Sequence, residues 1–404
     1  MGKFNPEQAM VTTKREFGEH GGVAPSIERS STFTVMESDF MPEIFAGKKS
    51  PDQGGFYLYG RHFNPTVDVL SHKLAAMEGA ENGICTASGI AAIACTISQL
   101  CPKGGHVVAS EVIYGGTHAL LEDLFPNMGI ETTFVDPTDL DAFKAAIRKD
   151  TKVIYTEVVG NPTLKVANIP ELAKIAHDAG AKLVVDNTFT PIMISPIQLG
   201  ADIVVYSLTK FINGASDIIG GAVCASTQFI GELVDLHTGR AMLWGPTMDP
   251  RAAYDVYQRV PHLPLRMKEH SRRTMAIAEL LENLSVPVSY PGLKSHPQHE
   301  LFTSMLNTDY GYGGLLTLDC GTTERASDVM NALQNDEDFG YIAVSLGYFD
   351  TLISCSGSST SSEIAKEEQE KMGLSPGLVR MAVGFTGSLE ERLAQIERVV
   401  KKFF

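Results

Sequence analysis

Apolar residues along the chain recur with two different periods. Six short apolar runs read as buried strands: His106-Val-Val-Ala-Ser110, Thr132-Thr-Phe-Val-Asp136, Val153-Ile-Tyr-Thr-Glu157, Lys182-Leu-Val-Val-Asp186, Ile203-Val-Val-Tyr206 and Gly221-Ala-Val-Cys224. Between them, Leu140 to Arg148 and Ile169 to Ala179 have helical spacing, and from Pro65 a helix is expected with Val67, Leu70, Leu74 and Met77 on one face. Alternation of this kind predicts an α/β fold with a mostly parallel sheet covered by helices on both faces. Residues 1–65 are rich in Gly, Pro, Ser and charge, including Pro51-Asp-Gln-Gly-Gly55, and read as an arm that packs on something else. The tract Pro261-His-Leu-Pro264 interrupts the pattern and is the expected boundary between a large domain (66–263) and a C-terminal domain (264–404). Beyond it come a long helix from Arg266 to Leu284, a β-rich stretch containing Gly311-Tyr-Gly-Gly-Leu-Leu-Thr-Leu-Asp319, and a helix starting at Ser388 that turns Leu389, Leu393, Ile396 and Val400 inward. This part reads as α+β.

Composition narrows the partners. The 404 residues are 44% hydrophobic and 20% charged, ordinary for a globular protein, and the formal charge of -15 disfavours nucleic acid or an anionic membrane. A small-molecule ligand is the better expectation. Met1-Gly-Lys-Phe-Asn-Pro-Glu-Gln has no apolar signal core, no run is long enough to span a bilayer, and a cytoplasmic location is expected. Six cysteines without a Cys-x-x-Cys pair indicate neither a disulfide framework nor a zinc site, and read as small buried hydrophobes.

The candidate chemistry centres on Lys210, in Tyr206-Ser-Leu-Thr-Lys210, just past the end of a buried strand where open α/β sheets place ligands. Desolvation there lowers the amine toward its nucleophilic form, and the hydroxyls of Ser207 and Thr209 are of the kind that bind phosphate; together they suggest pyridoxal phosphate held as a Schiff base. Such a cofactor needs a carboxylate for its pyridine nitrogen, and Asp186 ends the run Leu183-Val-Val-Asp186, although a turn cap there is the competing reading. Ser88, Gly89 and Ile90 open an Ala-rich helix whose free N–H groups favour a phosphate, unless Ser88 is a plain N-cap. Tyr114, in Val112-Ile-Tyr-Gly-Gly116, offers an aromatic face beside glycines. Tyr59 and Arg61 lie two apart, which an extended chain presents on one side as a phosphate clamp, available to a neighbouring subunit. Arg380, in the apolar run Leu378-Val-Arg-Met-Ala-Val383, needs an acceptor: a substrate carboxylate or a structural salt bridge.

On Ser207-Leu-Thr-Lys210 followed by Asp217-Ile-Ile-Gly-Gly221, and from about Ser26 to the C-terminus, the chain resembles the Cys/Met metabolism family of pyridoxal phosphate enzymes. The resemblance implies the aspartate aminotransferase-like type I fold, a homotetramer built as a dimer of dimers, and an amino-acid substrate. It implies Lys210 as the cofactor lysine, Asp186 at the pyridine nitrogen, and Tyr114 stacked on the ring and available as a general acid. Ser88, Gly89, Ile90, Ser207 and Thr209 match phosphate positions, Tyr59 and Arg61 match the pair given by a partner subunit, and Arg380, Ser345 and Asn161 match the substrate-carboxylate site. The reaction implied is α,γ-elimination from a methionine- or homocysteine-like amino acid to 2-oxobutanoate, ammonia and the leaving group. Cystathionine γ-lyase activity, or γ-replacement by a synthase or sulfhydrylase, shares the same residues.

Departures bear on the substrate. Gly116 stands where methionine γ-lyases typically carry a cysteine, whereas Val344 before Ser345 is more like those enzymes than like cystathionine γ-lyases. Ser354-Cys-Ser-Gly-Ser-Ser-Thr360 and Glu28-Arg29 replace less polar family patterns, so a more polar γ-substituent, such as that of canavanine, is an alternative. Val158-Val159-Gly160 also departs from the family's proline-containing turn. The competing classes are a non-catalytic homologue, which would damage Lys210 or its partners, and a dehydrogenase, which needs a Gly-x-Gly-x-x-Gly the first strand lacks.

Overall fold

The computed structural model describes residues 3–13, 21–46, 48–49, 57–307, 309–355 and 374–404. The segment Pro51–Gly55 and the greater part of Ser354–Thr360 lie outside them. Two sheets carry the described chain. The larger has seven strands, β1 (Asn82–Thr86), β2 (Gly105–Ser110), β3 (Ile130–Val135), β4 (Thr151–Glu157), β5 (Lys182–Asp186), β6 (Ile203–Ser207) and β7 (Gly221–Ala225), in the order β1-β7-β6-β5-β4-β2-β3. Strands β3, β2, β4, β5 and β6 run parallel, and β7 runs antiparallel to β6 and to β1. All six apolar runs are therefore strands. Strand β1 is an addition: Asn-Gly at its start carries turn chemistry, and its pairing with β7 supplies what its own pattern does not.

The strands pack between two separate clusters of buried side chains, as a parallel sheet covered on both faces requires. Residues alternate between them: on β5, Leu183 and Val185 join one cluster and Val184 the other. The helix Pro65–Glu78 forms where its ends are specified. Asn64 Oδ1 accepts from the Thr66 and Val67 N–H groups at 3.0 and 3.3 Å, Pro65 sits in the first turn, and Gly79 closes the helix at a φ of 76°. Its Val67, Leu70, Leu74 and Met77 are all buried.

The smaller sheet, ordered β10-β11-β12-β9-β8, comprises β8 (Val288–Ser289), β9 (Leu315–Asp319), β10 (Tyr341–Ile342), β11 (Leu352–Cys355) and β12 (Leu378–Ala382). It packs with the helices Leu263–Asn283 and Leu389–Phe403 around a third cluster. The tract at Pro261–Pro264 is not an open linker. It is a tight 3-10 turn, Val260–His262, joining the helix Pro250–Arg259 directly to Leu263–Asn283, with each proline in a first turn where its missing N–H costs nothing. The N-terminal arm also contains more helix than its sequence suggests, in Pro6–Thr12 and Phe40–Phe45. Its residues 26–28 are tied to the start of the helix at Pro65: Thr66 Oγ1 donates to Ser26 O at 2.9 Å and accepts from the Glu28 N–H at 2.8 Å. Among the described residues no helix is long and apolar enough to cross a membrane, and no cluster of His, Cys, Asp and Glu has the grouping of a metal site.

Candidate active site

Three adjacent parallel strands end in polar side chains: β4 in Glu157, β5 in Asp186 and β6 in Ser207. The turns beyond these ends enclose a cavity of about 250 Å³, the size of a small ligand. It is lined by Ser88, Gly89, Ile90, Tyr114, Asn161, Asp186, Ser207, Thr209, Lys210, Ser345 and Arg380, eleven of the thirteen residues expected from sequence.

Lys210 enters from the turn after β6, its Nζ donating to Ser345 Oγ at 3.1 Å. Burial lowers this amine to about 8, helped by the positive charge of Arg380, so a minor but appreciable neutral fraction exists near physiological pH. Its loop is clasped from the helical layer: Arg266 donates to the carbonyls of Phe211 at 2.5 Å and Ile212 at 2.8 Å. Thr209 Oγ1 accepts from the Gly220 N–H at 3.1 Å, and Thr188 Oγ1 accepts from the Ser207 N–H at 2.8 Å, which ties the ends of β5 and β6 together.

The helix Gly89–Leu100 points its N-terminus into the same cavity. Ser88 caps it, its Oγ accepting from the Ala91 N–H at 3.2 Å, so the N-cap and ligand readings of Ser88 coexist. The N–H groups of Gly89 and Ile90 precede the first intrahelical bond, Ala92 N–H to Ser88 O, and are free for an anion. Only glycine permits this approach. A Cβ on Gly89 would lie 2.7 Å from Ser207 Cβ and 2.9 Å from its Cα, and one on Gly221 would lie 2.2 Å from Ser88 O.

Asp186 is buried with neutral partners only: its Oδ1 accepts from the Thr188 N–H at 2.9 Å and Tyr155 reaches Oδ2 at 3.5 Å. Burial raises its carboxyl, so it calls for a cationic group in the cavity. Arg380 is buried in the middle of β12, where burial lowers it to about 10. Its Nη1 donates to Asn161 Oδ1 at 2.9 Å and its Nη2 to Ser345 O at 3.2 Å, while Nε has no partner. These partners are neutral, which answers the salt-bridge alternative and leaves the guanidinium able to take a carboxylate. A cation-seeking carboxylate, a lowered lysine, an open helix N-terminus and an unfilled arginine fit pyridoxal phosphate and an amino acid.

Tyr59 and Arg61 stand apart from this cavity. The chain there is a turn rather than the extended segment expected, with the His62 N–H donating to Tyr59 O at 2.9 Å and the Gly60 N–H to Ser31 O at 2.8 Å. The turn still stacks the Arg61 guanidinium 5.4 Å from the Tyr59 ring, and Arg61 lines a second cavity of about 760 Å³. Glu157 is a site residue that pattern reasoning passes over. A carboxylate ending a strand gives the same sequence signal as Asp186, and only the register pairing the two across β4 and β5 places it in the cavity.

A fold of this topology with a lysine, a carboxylate and a helix N-terminus gathered at its strand ends defines a pyridoxal-phosphate-dependent enzyme. The model of the Cys/Met metabolism PLP-dependent enzyme family matches residues 7–397, and the chain belongs to that family. It is 54% identical over 396 residues to methionine gamma-lyase of Arabidopsis thaliana, covering 98% of this chain and 90% of that one. It is 35% identical over 388 residues to L-methionine gamma-lyase of Fusobacterium nucleatum subsp. polymorphum, covering 95% and 94%. Among solved structures, a Campylobacter jejuni protein described as an O-acetylhomoserine (thiol)-lyase superposes with a TM-score of 0.90 at 26% identity, over 98% of this chain and 100% of that one. It carries N'-pyridoxyl-lysine-5'-monophosphate. The aspartate aminotransferase-like fold and the cofactor expected from sequence are thereby established.

Proposed function

We propose that this enzyme is a lyase that removes the γ-substituent of a methionine- or homocysteine-like L-amino acid, releasing 2-oxobutanoate, ammonia and the leaving group. The observation that carries the reading is the meeting of a lowered lysine and an unfilled, buried arginine in one cavity, in a chain 54% identical to a methionine gamma-lyase. Pyridoxal phosphate bound there supplies the electron sink that makes the protons on Cα and Cβ removable.

Lys210 holds the cofactor, and its Nζ, once free, carries the proton taken from Cα and then the one from Cβ, with Ser345 Oγ orienting it. Asp186 serves the pyridine nitrogen, Tyr114 the ring face, and Ser88, Gly89, Ile90, Ser207 and Thr209 the phosphate. Arg380 binds the substrate carboxylate, with Asn161 fixing the guanidinium plane. Tyr114 also holds a proton for the departing group at its hydroxyl. Tyr59 and Arg61 complete the phosphate site of a neighbouring subunit, in a homotetramer built from two such dimers. The organisation that serves this chemistry is an arm (1–65), a cofactor domain (66–263) and a C-terminal domain (264–404), acting in the cytoplasm.

A γ-replacement enzyme is the second reading, favoured by the name of the solved O-acetylhomoserine (thiol)-lyase. Incubation with methionine, homocysteine, cystathionine, O-acetylhomoserine and canavanine, with and without an added thiol, separates the two. 2-Oxobutanoate from methionine without thiol is expected, and its formation from cystathionine alone defeats the methionine assignment. Lys210→Ala is expected to abolish turnover and the borohydride-fixed chromophore together.

A further inference from the structure

We infer that Glu157 is a positioning residue that couples the substrate-carboxylate site to the Tyr114 ring, one carboxylate oxygen holding the backbone of each. The inference rests on the functional reading above, which assigns Tyr114 and Asn161 their roles. Glu157 Oε1 accepts from the Tyr114 N–H at 2.7 Å, and its Oε2 accepts from the Asn161 N–H at 3.1 Å. The two N–H groups belong to different turns, one following β2 and the other following β4. A carboxyl group presents two oxygens that can accept at this spacing, which neither an amide nor a hydroxyl does.

A second observation, independent of those bonds, shows the same two turns in register with each other. A Cβ on Gly160 would lie 2.7 Å from Val112 O and 2.8 Å from Val112 Cγ1, so the turn carrying Asn161 rests directly on the turn carrying Tyr114. A Cβ on Gly116 would lie 2.6 Å from Tyr114 Cε1, so the ring lies over the space that any side chain at position 116 would fill. Asn161 in turn accepts from Arg380 Nη1 at 2.9 Å. An unbroken path therefore runs from the guanidinium through Asn161 and Glu157 to the backbone of Tyr114. Seating a carboxylate on Arg380 fixes Asn161, and Glu157 transmits that order to the aromatic residue.

The test uses glycine, which offers a carboxylate and an amine but nothing to eliminate, titrated into the cofactor-loaded enzyme and read from the cofactor's absorbance. Glu157→Gln keeps the shape but presents an amide nitrogen to one of the two N–H donors. Its glycine dissociation constant is expected to rise roughly 10- to 100-fold, with the KM for methionine rising alongside, while cofactor content and the melting temperature of the apo-protein stay at wild-type values. Glu157→Asp, which retains both oxygens but withdraws them by one methylene, is expected to do the same. Wild-type glycine binding in both variants overturns the inference. So does a loss of binding matched by an equal loss of cofactor and melting temperature, which is what a merely structural carboxylate would give. Failure of the wild-type enzyme to form 2-oxobutanoate from methionine defeats the functional reading instead, and the glycine titration still decides the role of Glu157.

Discussion

Lys210 is chemically useful because of where its amine sits rather than because of any one contact. Burial, and then the charge of Arg380, bring it to about 8, against an ordinary value of 10.5. The sign of the consequence is definite. As pH rises through about 8 the apo-protein's amine loses its proton and becomes nucleophilic, so the rate at which added pyridoxal phosphate becomes borohydride-fixable should climb between about pH 7 and 8.5 and then level off. A rate still climbing beyond pH 10 would mean an unperturbed lysine. Unfolding releases the constraint, and the unfolded chain binds the extra proton between those two values, so this residue makes the apo-protein more stable as pH rises from about 8 toward 10.5. Sequence alone pointed to Lys210 just past a strand end, Asp186 at the end of an apolar run and Arg380 within one, and the fold brings all three to one cavity. Glu157 escaped because its meaning lies in two backbone N–H groups that no side-chain pattern records.

At the scale of elements, the site depends on how closely the helix Gly89–Leu100 approaches the end of β6. Gly89→Ala places a methyl against both Cα and Cβ of Ser207, and backbone cannot yield as a flexible side chain would. Overpacking of this kind costs about 1–3 kcal/mol, so cofactor affinity should fall roughly 5- to 150-fold in an equilibrium titration of the apo-protein. The opposite face of the same strand ends is held by Glu78, the last residue of the helix Pro65–Glu78. It accepts from the Tyr206 hydroxyl and from the Ile197 N–H at 3.2 Å, and Asn187 Nδ2 donates to the same Tyr206 oxygen at 2.9 Å. Asn187 and Tyr206 are the chain neighbours of Asp186 and Ser207, so this buried network sets the strand ends from behind. Burial raises the Glu78 carboxyl from 4.5 to about 8. Between those values the folded protein keeps a proton that the unfolded chain gives up, and stability falls as pH rises, by at most about 1.4 kcal/mol per pH unit from this group. Glu78→Gln should flatten that slope in denaturant titrations at pH 5, 6, 7 and 8; an unchanged slope would show that Glu78 holds no such proton. The helix before this network was legible because Asn64, Pro65 and Gly79 mark both its ends. Strand β1 was not, because its place is fixed by pairing with β7, some 140 residues further along the chain.

For the whole molecule, the telling fact is that Tyr59 and Arg61 both stand outside the Lys210 cavity, with Arg61 lining a larger one. If they serve a neighbouring subunit, two inactive variants should repair each other. Arg61→Ala and Lys210→Ala, mixed at equal amounts under conditions that exchange subunits, give hybrid dimers with one intact site. Recovery of roughly a quarter of wild-type activity is then expected from random pairing across a two-fold interface. No recovery would place Arg61 in its own subunit's site. The arm was readable as a segment unable to fold by itself, but its direction was not, since two residues with extended spacing were expected where Gly60 makes a turn.

All six thiols of the protein are shut inside it, and burial drives those of Cys85, Cys95 and Cys320 to about 12 and that of Cys101 to about 11. A lyase whose leaving group is a thiol, as proposed above for methionine, works in the presence of its own sulfur nucleophile. With all six cysteines buried, the native fold exposes no thiol that such a product, or a disulfide derived from it, can exchange with. Maleimide labelling should accordingly be negligible until denaturant is added, and the catalyst should tolerate its own effluent.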